Sequence, residues 1–153
     1  MKEAKELVQL LHPWIDGTRA PLYAIQFPQQ AADEEVASFC QVRERWAVTA
    51  KYKVAWVVDL AGVIQAPATQ RRIFSDHLQR FEPHDVAYNQ GSALIAPNAF
   101  VRGIITAVFW LKAPRFPSEC FTTQPEALAW ASAQLAARPS GVPSSSKPSS
   151  SKR

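Results

Sequence analysis

Residues 53–60 read KVAWVVDL. The run is almost unbroken in apolar and β-branched side chains, which predicts a strand buried on both faces. A strand of that kind belongs inside a sheet that carries helices. The neighbouring segment agrees, because residues 61–66 read as a loop and Pro67 stands where a first helical residue would. Ile73, Phe74, Leu78 and Phe81 then fall on one side of a helix, and Pro83 is expected to close it near Phe81.

Upstream, Leu22–Pro28 (LYAIQFP) alternates and ends at proline, the pattern of a strand. Asp33–Ala50 opens on Asp33, Glu34 and Glu35, which suit the positive end of a helix. It sets Val36, Phe39, Cys40 and Trp46 near one face, so the segment reads as an amphipathic helix. Downstream, Ser92–Ala96 is a short strand, and Asn98 can cap a helix over Ala99–Leu111. That helix is apolar nearly all round and is expected to pack deeply, with Gly103 marking a close backbone approach. Glu119–Thr122 is a last strand. Thr123-Gln-Pro-Glu126 reads as a capping box for a final helix to about Ala137.

Residues 1–20 fit either an edge strand, with Val8–Leu11 returning through Asp16-Gly17, or a short helix. With an early hairpin ahead of alternating strands and helices, residues 21–138 describe an α/β domain. Its architecture is a single mixed sheet of four to five strands with about four packed helices. Ligands of such folds favour loops that leave strands and enter helices, here Ala61–Ala68 and Pro97–Asn98. Trp46, Trp56, Trp110 and Trp130 fall in periodic apolar segments and read as core or pocket residues.

Charge narrows the partners. The formal net charge is +4, but four of the 17 Lys and Arg residues lie beyond residue 137: Arg138, Lys147, Lys152 and Arg153. The preceding residues carry 13 basic and 13 acidic side chains, so no general phosphate-attracting field is expected on the domain. Nucleic acid is therefore not the expected partner. Residues 139–153 repeat PSSSK and read as a disordered Pro/Ser/Lys tail. The longest apolar stretch, Ile104–Leu111, has eight residues with Thr106 inside it, far short of a bilayer span. Two cysteines without a CxxC pair, each among apolar neighbours, fit small hydrophobes in a reducing cytoplasm.

The sequence offers little to a catalytic reading. Gly17, Gly62, Gly91, Gly103 and Gly141 are scattered, with no GxGxxG or GxxxxGK arrangement. No GxSxG elbow is present, and neither cysteine has a basic sequence neighbour to activate it. His77 and His84 are seven apart, but with Pro83 between them they read as a solvated polar cluster at a helix end. No catalytic residue, metal ligand or cofactor is assigned. The suggestive charges are Arg71, Arg72 and Arg102, each near a helix N-terminus where a cation is locally unfavourable. They are expected to answer to a carboxylate such as Asp59 or Glu126, or to an anionic ligand.

VVDLAGVIQAPATQRRIF at 57–74, VRGIITAVFW at 101–110 and the closing CFTTQPEALAWASAQL resemble the SpoIIAA-like, STAS/SEC14-type branch of the STAS family. The resemblance covers roughly Leu22–Ala137. It implies a non-catalytic module of bacterial signalling that binds a protein partner through a strand-to-helix loop, matched here by Val63–Gln70. The docking face on this chain is expected to include Asp59, Thr69, Arg71, Arg72 and Arg102. Where the family carries a phosphorylatable Asp-Ser pair, this chain has Pro67-Ala68, leaving Thr69 as the hydroxyl that could accept phosphate. The SEC14-type kinship also implies an alternative, a carrier of small apolar ligands or lipids, and the aromatic helix with Phe100, Phe109 and Trp110 suits it.

Overall fold

The computed structural model describes residues 12–137. In chain order the elements are β1 (Ile15–Asp16), β2 (Leu22–Gln26), α1 (Asp33–Thr49), β3 (Val54–Asp59), α2 (Ala68–Tyr88), β4 (Asn89–Ile95), α3 (Ala99–Leu111), β5 (Ser118–Phe121) and α4 (Gln124–Ala136). One five-stranded sheet runs in the order β1-β2-β3-β4-β5. β1 is antiparallel to β2, and the remaining pairs are parallel, so the sheet is mixed as expected. The amino-terminal edge strand is Ile15–Asp16. Val8–Leu11 and the tail fall outside the described residues.

Strands laid down in sequence order, joined by crossovers of one handedness, send every crossover helix to the same face. Accordingly α1 packs on α2 and α2 on α3, while α4 covers the sheet from β2 to β5. Alternation along β3 separates the two faces. Val54 and Trp56 join Tyr23, Ile25, Phe39, Trp46 and Phe81 in the larger core under α1 and α2. Ala55 and Val57 meet Ala93, Ile95, Ala127 and Ala131 under α4. Small residues on that second face let α4 approach closely. At Gly91 an added Cβ would stand 2.9 Å from the Trp130 ring, so the close approach sits there. Gly103, expected to have this role, has open space around it.

Helix starts follow their caps. Asn98 Oδ1 accepts from Val101 N at 2.9 Å, and the Thr123 hydroxyl accepts from Glu126 N. Glu35 reaches back to accept from Ala32 N at 2.8 Å. Pro67 is the N-cap of α2 and not its first helical residue, so the helix starts one residue later than expected, and Pro83 lies inside it. Proline removes one backbone donor, but Pro83 is exposed while Phe81, His84 and Asp85 beside it are buried. Their burial carries the helix on to Tyr88.

The third helix departs most from expectation. Only Val101 of α3 is buried. Phe100 is 52% exposed, Trp110 86% and Leu111 48%, so Trp110 belongs to neither core nor pocket. Trp46 and Trp56 are core residues, and Trp14 and Trp130 are half-buried. No helix among the described residues is long and apolar enough to cross a membrane.

Candidate functional site

Because α3 stands off from the sheet, a crevice remains between it, α2 and the strands. The cavity measures about 160 Å³. An apolar cavity of roughly that size is large enough to take benzene in another protein. Its walls are Val58 and Leu94 from the sheet, Phe74 and Leu78 from α2, and Ile104, Ile105, Val108 and Phe109 from α3. Val63, Gln65 and Ala66 of the loop after β3 also contribute, which places the cavity at one of the two loops expected to bind ligands. The lining includes Gln70 and Asp85 of α2, fifteen residues apart, so it extends about 22 Å along that helix.

At the amino-terminal ends of the strands the lining turns polar: Arg43, His77, Asp85 and Ser92. Arg43 lies on the apolar stripe of α1 that holds Val36, Phe39, Cys40 and Trp46. Its guanidinium sits between the Trp56 and Phe81 rings, 4.2 and 4.1 Å from their centroids. Such desolvated cation–π contacts contribute about 2 kcal/mol. Arg43 Nη1 donates to His77 Nε2 at 2.9 Å, and His77 Nδ1 donates to Glu44 Oε2 at 2.8 Å. Arg80 Nε also donates to that carboxylate oxygen.

This arrangement needs a neutral imidazole. Burial pulls the His77 pKa down to about 4, and nearby Arg43 also opposes its protonation, despite the Glu44 hydrogen bond. Glu44 is held below its ordinary value, chiefly by the His77 hydrogen bond. Burial pushes Asp85 up to about 6, against the pull of Arg43 and of its hydrogen bond from Asn89 Nδ2. Asn89 Nδ2 also donates to Ser92 Oγ at 3.0 Å. Burial pulls Arg43 below its ordinary value, and Asp85 is the strongest opposing influence. His84, expected to be solvated with His77, is likewise buried and donates from Nε2 to Ala50 O at 2.7 Å.

The residues expected to bind a partner collect at the opposite end of the sheet. Asp59 closes β3 beside Ile95, and its Oδ1 accepts from Ala61 N at 2.9 Å. Thr69 and Arg72 are exposed in the first turns of α2. Arg71 is half-buried in the cavity wall and donates to Ala66 O. Arg102 Nη1 donates to Ala96 O at 3.1 Å. Arg71 and Arg102 thus answer to loop carbonyls, which sit within reach of a helix start. Among the described residues, none of the three arginines forms an ion pair with Asp59 or Glu126.

Cys40 is buried, and burial pushes its thiol up to about 12. Cys120 is exposed on the edge strand β5, where one side has no neighbouring strand among the described residues to cover it. Among the described residues no group of three or more His, Cys, Asp or Glu side chains could hold a metal ion.

Sequence spacing does not single out Arg43 or Asp85 as site residues. For Arg43 a signal was present: positions 36, 39, 40, 43 and 46 share one helical stripe, and an arginine on it must be buried or strongly displaced. No protein-family model matches the chain, and comparison with curated proteins finds no match.

Proposed function

We propose that the chain is a STAS-like, non-catalytic binding module whose cavity between the sheet, α2 and α3 takes up a small apolar ligand. The supporting observation is the crevice itself, walled by aliphatic and aromatic side chains under a helix with a single buried residue. Apolar side chains left around a void forgo dispersion contacts that a ligand would restore. A non-catalytic role fits the engagement of the polar groups. Both His77 ring nitrogens are hydrogen-bonded, and the Cys40 thiol is held protonated. Two free cysteines suit a reducing, cytoplasmic setting. Native mass spectrometry of freshly purified protein tests the proposal. A co-purifying small molecule is expected, and bare polypeptide mass that persists after incubation with aliphatic and aromatic compounds would refute it.

A second reading, docking of a protein partner in a signalling role, draws on the loops at the carboxyl ends of β3 and β4. Asp59, Thr69, Arg71, Arg72 and Arg102 lie there, with Thr69 accessible as a phosphoacceptor. Wild type should retain a partner from native lysate that an Arg71→Glu/Arg72→Glu variant loses. Equal recovery removes this face from consideration.

A further inference from the structure

The polar end of the cavity holds a cation that no group on the described chain neutralises by contact. Arg43 is 8% exposed and forms no ion pair among the described residues. A buried guanidinium without a paired anion is costly, and cation–π contacts do not use its N–H donors. Only Nη1 is engaged, by His77. Nε is buried without a partner, and Nη2 makes no hydrogen bond among the described residues. Trp56, also in the cavity wall, leaves its indole Nε1 buried and unpartnered. Asp85 acts on Arg43 through its field but lies beyond ion-pair range, with Oδ1 accepting from Asn89.

Resting on the reading of the cavity as a ligand site, we propose that its ligand is a small monocarboxylate. Its carboxylate is received by Arg43 and its hydrocarbon or aryl body by Phe74, Leu94, Ile104 and Val108. A guanidinium presents paired donors in a fixed plane that match two carboxylate oxygens. His77 fixes the plane, because its Nδ1 donates to Glu44 and its Nε2 is left as the acceptor for Nη1. One cation at this end, already partly offset by the field of the Asp85 carboxylate, favours a ligand with a single negative charge over one with two. Arg71, the other arginine in the lining, is at the far end of the crevice and is turned to the Ala66 carbonyl. A phosphate dianion would find a single cation.

Isothermal titration of the full-length chain with octanoate, 1-octanol and octylamine at pH 7 tests this. Octanoate should bind at least about tenfold more tightly than octanol, the scale of a charge-assisted hydrogen bond, with octylamine weakest. Arg43→Met should erase the preference of octanoate over octanol measured on the same variant, a ratio that cancels what the substitution does to both ligands through the lost ring and His77 contacts. Octanol binding as well as or better than octanoate overturns the carboxylate assignment and leaves the apolar cavity standing. Failure of all three ligands refutes both. A preference that survives in Arg43→Met overturns Arg43 as the anchor. If that variant does not fold, the ranking of the three ligands on wild type decides.

Discussion

Two buried groups at the polar end of the cavity respond to acid in opposite senses. The His77 pKa is about 4 in the fold against 6.5 unfolded, so the folded state binds fewer protons between those values. Its contribution is complete above pH 6.5 and is lost as pH falls towards 4, by about 3 kcal/mol. Asp85 is raised to about 6 from 3.8, so its contribution is complete below 3.8 and is lost as pH rises through 6. Acidification therefore weakens the fold through His77 and strengthens it through Asp85. Asp85→Asn should remove the compensation. Between pH 7 and pH 4.5 this variant is expected to lose about 2 kcal/mol more stability than wild type, as read from urea midpoints at the two pH values. An equal loss in both proteins would show that Asp85 does not titrate in this range.

Among the elements, α3 matters most to the cavity, because it is the most apolar helix and among the least buried. Filling a close-packed core costs about 1–3 kcal/mol, whereas filling a real void does not. Val108→Phe is thus expected to hold or raise the thermal midpoint and to abolish octanol uptake. A large fall in stability would mean that the space is already occupied. Trp110→Ala, at the exposed end of the same helix, should change stability by less than about 0.5 kcal/mol, as read from denaturant midpoints. The sequence shows why α3 forms, through Asn98 and an apolar run broken within Ile104–Leu111 only by Thr106, but not what it packs against. Apolar all round reads as deep burial, and a helix roofing a crevice has the same composition. Pro83 misled for a related reason. Local breaking signals were visible, while the burial of Phe81, His84 and Asp85 that overrides them is a tertiary fact.

For the molecule as a whole, the succession of strands and helices was legible because period and punctuation determine it. The mixed sheet, the β3 core strand and the capped α4 all arise from patterns in the chain. The site was legible only in part. Its loop after β3 was foreseen, but its polar end joins Arg43, His77 and Ser92 from three elements, and sequence spacing cannot bring those together. The crevice runs from the loop after β3 towards the amino-terminal ends of the strands, and Thr69 and Arg72 are exposed near its loop end. The central claim is that ligand sits inside, between α2 and α3. Intermolecular nuclear Overhauser contacts from bound octanol, recorded on methyl-labelled protein, test it most directly. Contacts to Leu94, Ile104 and Val108 are expected. Contacts confined to Leu111 on the exposed end of α3, with none to those three, would contradict it.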